Sequence, residues 1–286
     1  MATLKDFKGD QPTWCPGCGH FSVMASLQKA ASEIGLEPHD MGVVSGIGCS
    51  GKISEYTRAY GFHTLHGRSL PIAQGAALGN KDVQIIASGG DGDGYGIGVG
   101  HFIHAVRRNV NMTYLVMDNN IYGLTKGQTS PTSQQGFITK SSPKGSVESP
   151  VHPLETALAN GITFLAQGFS GDIKQLNEIV KAALQHKGFA LVNVFSPCVT
   201  FNKVNTYDYY KENLVDVSTF TNYDKTDRMN AIKTIREKNG LVTGILFKED
   251  KPTFTDLTKD FPEIAIAKQD LNLDSTILEK IEKQFQ

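Results

Sequence analysis

VQIIASGGDGDGYGIG, residues 83–98, reads as a buried strand that runs straight into a loop of glycine and aspartate. The opening VQIIAS (83–88) is short, rich in Ile and Val and without polar alternation, the pattern of a strand covered on both faces. MGVVS (41–45), MTYLVMD (112–118) and FALVNVF (189–195) share that pattern. Between them lie stretches with apolar residues at three- and four-residue spacing. These are FSVMASLQKAASEIG (21–35), PIAQGAALG (71–79), GHFIHAVRRN (100–109) and DIKQLNEIVKAALQHKG (172–188). Gly35 is a helix stop, Pro71 suits a first helical turn, and Asp172 suits an N-cap. Arg107 and Arg108 suit a helix end, where cations complement the dipole. Strands alternating with helices predict an α/β fold with a doubly wound, mostly parallel sheet. Ligands of such sheets gather at the carboxyl ends of the strands.

The loop after VQIIAS therefore stands where a ligand is expected. Gly89-Gly90-Asp91-Gly92-Asp93-Gly94 lets backbone N–H groups approach a polyanion. Asp91 and Asp93 would repel a bare diphosphate, so a cation must intervene, and Mg2+ is held by carboxylates, carbonyls and phosphate oxygens. The next strand ends in Asp118-Asn119-Asn120, and Asn119 follows Asp91 by 28 positions. One helix and one returning strand fill that interval, and a βαβ crossover returns both ends to the same edge of the sheet. Rival phosphate sites fare worse. The 89–98 stretch offers no G-x-G-x-x-G register, and GIGCSGK (46–52) has Walker A spacing but Ile53 where Ser or Thr must meet the metal.

The chain has 286 residues, 40% hydrophobic and 20% charged, an ordinary globular balance for one large domain with an appendage. A net charge of -1 gives no electrostatic case for nucleic acid or a membrane surface. No apolar run approaches the roughly 20 residues of a transmembrane helix, and the N-terminal stretch lacks a secretory apolar core. A cytoplasmic protein is expected. Thr125 to Pro153 reads as a long loop, functional or mobile. From Thr200 the character changes, and a division into a ligand-binding domain, 1–205, and an extension, 206–286, is expected.

Four cysteines occur: Cys15 and Cys18 in Cys-Pro-Gly-Cys, Cys49 in GIGCSGK, and Cys198 just past a predicted strand. A [4Fe–4S] cluster takes four thiolates and tolerates scattered spacing. Structural zinc usually shows two close pairs, and only one is present. Small buried apolar cysteines are the third reading. The residues alone leave these open.

Together CPGCGH (15–20), GIGCSGK, HTLHGR (63–68), GGDGDGYGIG (89–98) and DNNIYGLTKGQTSPTS (118–133) resemble the β subunits of 2-oxoacid:ferredoxin oxidoreductases over about residues 10–205. The resemblance implies thiamine diphosphate, Mg2+ and one [4Fe–4S] cluster as cofactors. It implies Cys15, Cys18, Cys49 and Cys198 as cluster ligands, and Asp91, Asn119 and the Ile121 carbonyl as Mg2+ ligands. Ile47, Gly48, Ser50, Gly90, Gly92, Asp93, Gly123, Leu124 and Thr125 are the further cofactor contacts, and Lys52, His66, Arg68, Leu124 and Lys126 are candidates to act at the reacting end. The family cofactor is an electron sink that allows loss of CO2 from a 2-oxoacid. The adjacent cluster passes electrons singly to ferredoxin, and coenzyme A takes the acyl group. An α chain would bring the pyrimidine-binding domain and the activating Glu, so activity is expected only with that partner, as (αβ)2. Leu124-Thr125-Lys126-Gly127-Gln128 resembles members that accept 2-oxoglutarate, whose distal carboxylate needs a cation such as Lys126. The plainer reading of Lys126 is a solvated loop lysine. A pyruvate or broad-range enzyme, a thiamine-dependent decarboxylase without electron transfer, and a non-catalytic zinc- or cluster-bearing chain are the rivals. The decarboxylase gives the cysteines no task, and the non-catalytic chain leaves Asp91 and the Asn pair unexplained.

Overall fold

The computed structural model describes residues 2–270, 272 and 274–285. Eight strands form one sheet: β1 Met41–Ser45, β2 Tyr60–His63, β3 Gln84–Gly90, β4 Met112–Asp118, β5 Phe164–Phe169, β6 Phe189–Phe195, β7 Val215–Asp216 and β8 Val242–Lys248. Their order is β2-β1-β3-β4-β6-β5-β8-β7. Every pair is parallel except β5 with β8, which run antiparallel with a shift of register between Leu165 and Ala166. The doubly wound, mostly parallel sheet expected from the pattern is the fold observed.

The α-helices are α1 His20–Glu33, α2 Ile53–Tyr56, α3 Ser69–Gly79, α4 Val99–Arg108, α5 Pro153–Ala159, α6 Ile173–Leu184, α7 Tyr207–Asn213, α8 Arg228–Glu237, α9 Phe254–Leu257 and α10 Ser275–Glu282. Because side chains alternate across a strand, neighbouring residues of one apolar run enter different cores. Ile85 and Tyr114 pack with Leu70 of α3, Phe102 of α4, Leu154 of α5 and Ile235 of α8. Ile86 and Leu115 pack on the other face with Val23 and Leu27 of α1 and Leu176 and Val180 of α6. Covering both faces is what removes polar alternation from these strands, and β4 and β6 are buried at every residue.

The predicted helices hold with small shifts. α3 begins at Ser69, so Pro71 lies in its first turn. The Asp172 side chain accepts from Gln175 N at 3.0 Å and caps α6. Gly35 ends α1 with φ +80°, and Arg107 and Arg108 occupy the last turn of α4. Residues 125–153 hold no strand, and only Pro153 at their end enters a helix, α5. Four strands escape the sequence reading. β2 is an exposed edge, β5 is broken by Gln167 and Gly168, β7 has two residues, and β8 bends at Gly244, with φ +112°. Among the described residues, no helix is long and apolar enough to cross a membrane.

Candidate active site

The carboxyl ends of β1, β3, β4 and β6 lead into the segments that carry Cys49, Asp91, Asn119 and Cys198, respectively. Two cavities open there. The first, of about 420 Å³, is lined by Ile47, Gly48 and Ser50 after β1, Gly90 to Asp93 after β3, and Asn119, Ile121, Gly123, Leu124 and Thr125 after β4, with His66 at its edge. Every predicted cofactor contact thus meets in one place. Asn119 and Ile121 face this cavity, whereas Asp118 and Asn120 face a separate one behind it.

Backbone and carboxylates hold this geometry together. β3 runs through Gly89 and Gly90, and an irregular, wide helical turn, Gly92–Ile97, carries the chain into α4. A Cβ at Gly92 would run into the Tyr122 ring, and one at Gly46 would run into the Asp93 carboxylate, so both loops close only with glycine. The Asp93 side chain is spent on those loops: Oδ1 accepts from Ile47 N at 2.9 Å and Gly67 N at 2.8 Å. His66 Nδ1 lies 3.1 Å from the same oxygen but out of line for a hydrogen bond, and Asp93 Oδ2 has no hydrogen-bond partner among the described residues. Asp91 Oδ1 accepts from Asn119 N at 3.4 Å and Oδ2 from Thr132 Oγ1 at 2.7 Å. The loop and the residue 28 positions later therefore touch, as the crossover argument requires.

Burial pushes the Asp91 and Asp93 carboxyls up, and hydrogen bonds from side-chain hydroxyls and backbone N–H groups pull them partly back. Behind them Asp118 is pushed up to about 7, first by burial and then by the charge of Asp91. Among the described residues, no Lys or Arg lines the 420 Å³ cavity. Asp91, a buried carboxyl with no Lys or Arg on the cavity wall, stands with Asn119 and Ile121 in a donor set that suits Mg2+ carrying phosphate oxygens.

A second cavity, of about 180 Å³, is lined by all four cysteines together with Trp14, Lys52 and Val199. None is in a disulfide. Trp14 Nε1 donates to the Cys49 carbonyl at 2.6 Å, and the N–H of Gly19 reaches the Pro197 carbonyl at 3.3 Å, which ties the N-terminal loop to the end of β6. Burial pushes the Cys18 thiol up to about 12; the His20 N–H opposes this, and the other three cysteines add to it. Cys49 is raised for the same two reasons, burial and neighbouring thiols, with Lys52 opposing. Burial keeps Cys18 and Cys49 as neutral thiols, and a positive centre beside them would favour their thiolates. Among the described residues, no three His, Cys, Asp or Glu side chains stand close enough together to hold a metal ion. The four cysteines line one space of about 180 Å³.

The two cavities share a wall: His20, Cys49, Asn119, Gly123 and Leu124 line both. A Cβ on Gly123 would sit 3.5 Å from Cys198 Sγ and 3.7 Å from Cys49 Sγ. Of the residues expected at the reacting end, His66 and Leu124 line the large cavity. Lys52 lines only the thiol cavity, where Nζ donates to Thr13 Oγ1 at 2.9 Å. Arg68 turns back to the His66 carbonyl at 3.0 Å, and Lys126, exposed with φ +77°, lines neither cavity. Sequence reasoning missed Met117, Tyr122, Gln128 and Thr129 on the cavity wall, and Thr132 on Asp91. Only the polar 125–153 stretch signalled some of them.

Residues 46–194 match the family model of the thiamine pyrophosphate enzyme, C-terminal TPP-binding domain, and residues 198–263 match that of the C-terminal region of the pyruvate ferredoxin oxidoreductase beta chain. The 2-oxoacid:ferredoxin oxidoreductase subunit beta of Saccharolobus solfataricus is 48% identical over 226 residues, 78% of this chain and 73% of that one. A 2-oxoglutarate synthase subunit KorB of Methanocaldococcus jannaschii is 35% identical over 254 residues, 85% of this chain and 90% of that one. Among solved structures, 2-oxoglutarate:ferredoxin oxidoreductase from Magnetococcus marinus with 2-oxoglutarate, coenzyme A and succinyl-CoA bound superposes with a TM-score of 0.86 at 39% identity, over 99% of this chain and 91% of that one. With nearly half of the matched residues shared with such a relative over three-quarters of its length, this chain belongs to the family of 2-oxoacid:ferredoxin oxidoreductase β subunits.

Proposed function

We propose that this chain is the cofactor-carrying half of an enzyme that oxidatively decarboxylates 2-oxoglutarate to succinyl-CoA, with coenzyme A as acyl acceptor and ferredoxin as electron acceptor, and that can run in reverse as a carboxylation. The observation that carries the reading is the shared wall: a cavity suited to a metal-bound diphosphate and a cavity lined by four thiols are separated only by residues common to both. The relatives named for 2-oxoglutarate and the neighbour solved with 2-oxoglutarate and coenzyme A support the substrate.

In this reading Asp91, Asn119 and the Ile121 carbonyl hold Mg2+, and Gly90, Gly92, Asp93 and Thr125 line the diphosphate. Cys15, Cys18, Cys49 and Cys198 hold a [4Fe–4S] cluster. When bound, thiamine diphosphate supplies the electron sink for loss of CO2, and the cluster supplies a one-electron acceptor. Gly123, without a side chain, keeps the wall thin at Cys49 and Cys198. Leu124 narrows the cavity on the side of the substrate, and Lys126 lies two residues beyond it, on the same loop, as the cation for the distal carboxylate. Residues 1–205 carry the cofactors. The segment 206–286, beyond the strands it lends the sheet, meets the α partner through exposed apolar side chains such as Ile277, Leu278 and Ile281 of α10. The α chain completes the site with its pyrimidine-binding domain and activating Glu, in an (αβ)2 assembly in the cytoplasm.

Metal, sulfide and cofactor analysis of the α/β complex, purified without oxygen, tests this. About four iron, four sulfide, one Mg2+ and one thiamine diphosphate per β chain are expected. Zinc without sulfide would remove the redox reading, and absence of thiamine diphosphate would remove the enzyme reading altogether.

A further inference from the structure

Behind the Mg2+-type ligands the structure holds a chain of hydrogen bonds that starts in the C-terminal segment. Tyr210 lies on α7, capped by the Thr206 side chain, which accepts from Tyr209 N at 3.2 Å. Its ring stacks on Phe195 at 4.5 Å and is almost wholly buried. The Tyr210 hydroxyl donates to Asn120 Oδ1 at 2.7 Å. Asn120 Nδ2 donates to Thr132 Oγ1 at 2.9 Å, and Thr132 Oγ1 donates to Asp91 Oδ2 at 2.7 Å.

Donation runs in one direction along these three links. An amide presents an acceptor on one side and donors on the other, so the Thr132 carbonyl, which accepts from Nδ2 at 3.2 Å, settles which way Asn120 faces and leaves Oδ1 to accept from Tyr210. Were the amide turned over, its oxygen would meet the Thr132 carbonyl, and two acceptors would face each other. Asn120 stands at φ +56°, a backbone conformation asparagine tolerates better than most residues, and Ser133 Oγ holds its carbonyl at 2.7 Å. Aligned buried hydrogen bonds polarise one another, so the far end of the chain is felt at Asp91.

We propose that Tyr210 is a positioning residue for the cofactor site: through Asn120 and Thr132 it fixes the rotamer of Asp91 and thereby sets the affinity for Mg2+ with thiamine diphosphate. The inference rests on the functional reading above. It gives the C-terminal segment, which touches neither of the two site cavities through Tyr210, a direct part in holding the cofactor.

The test uses the α/β complex stripped of metal and cofactor, titrated calorimetrically with thiamine diphosphate at fixed Mg2+. Tyr210→Phe keeps the ring on Phe195 and removes only the hydroxyl. Groups that orient a metal ligand typically alter affinity by about 10–100-fold, and Tyr210→Phe is expected to raise the Kd about 10-fold. In a Thr132→Val background, where the chain is already cut, Tyr210→Phe is expected to change the Kd less than about 2-fold, the signature of coupling through a shared path. The thermal midpoint of each stripped complex reports folding separately, and a merely structural tyrosine would lower that midpoint without moving the Kd. An unchanged Kd for Tyr210→Phe, or the full 10-fold loss persisting in Thr132→Val, overturns the proposal while the wild-type complex still binds. A wild-type complex that fails to bind thiamine diphosphate with Mg2+ overturns the functional reading itself, and this inference with it.

Discussion

Replacing Thr132 by Val removes one oxygen that meets three buried polar groups. Its Oγ1 lies 2.7 Å from Asp91 Oδ2, 2.9 Å from Asp118 Oδ1 and 2.9 Å from Asn120 Nδ2. A hydroxyl carries one proton, so it cannot donate to both carboxylates; the second contact needs a proton on a carboxyl. Burial and the charge of Asp91 push the Asp118 carboxyl up to about 7, in the direction that favours such a proton. In the valine variant Asn120 keeps the Asp118 carboxyl at 3.1 Å and the Thr132 carbonyl at 3.2 Å, while Asp91 Oδ2 loses the hydroxyl that lies 2.7 Å from it. A hydrogen bond to a charged buried group is worth about 1.5–3 kcal/mol. Weaker screening between the two carboxyls adds to that, and the expected loss is about 3 kcal/mol. At about 2.1 cal/mol/K per residue, the 286 residues carry an unfolding entropy of roughly 0.6 kcal/mol/K. The thermal midpoint of the cofactor-free β chain should fall by about 5 °C. Thr132→Ser, which keeps the hydroxyl, should stay within about 1 °C. Differential scanning calorimetry of both variants measures this, and a valine variant within about 1 °C of wild type would refute the reasoning.

Two further outcomes follow from the geometry. His186 is buried, its Nε2 2.9 Å from Thr163 Oγ1 and its Nδ1 without a hydrogen-bond partner among the described residues. Burial, helped by Lys248, holds it at about 4, against an ordinary 6.5. Above pH 6.5 the ring is neutral whether folded or unfolded, and its contribution is complete. As pH falls from 6.5 towards 4, only the unfolded chain takes the proton, and about 2 kcal/mol is lost, allowing for partial solvent contact. His186→Gln should flatten that part of the stability profile in urea titrations between about pH 6.5 and 4.5, and parallel profiles would count against it. Lys126, exposed and without an ion pair among the described residues, should act only on the distal carboxylate. Lys126→Ala is expected to raise KM for 2-oxoglutarate about 10-fold and leave pyruvate nearly unchanged; equal effects on both substrates would dismiss the assignment.

The sheet and the cavity it builds were readable wherever the signal was local. Strands buried on both faces must be apolar at successive positions, so MGVVS, VQIIAS, MTYLVMD and FALVNVF marked themselves. Gly90 to Asp93 and Asn119 were paired from the sequence because one βαβ unit, by its handedness, returns both ends to one edge. Edge strand β2 has no buried side, and β8 owes its place to pairing with β5, so neither carries that signature.

Residue identity and spacing determined that a Gly-Asp loop and an Asn would meet and that four thiols were available. They did not determine which carboxylates and amides face the cavity. At 118–121 side chains alternate between two cavities, and that alternation is set where β4 ends and the chain turns through the left-handed Asn120. Thr132 meets Asp91 across 41 positions, and Tyr210 meets Asn120 across 90. Contacts so distant in the chain leave no period or motif, because they exist only after the sheet, the irregular loop and α7 have packed. Tertiary structure alone therefore decided how the site is held, since a buried polar group must find its partner wherever the fold places one.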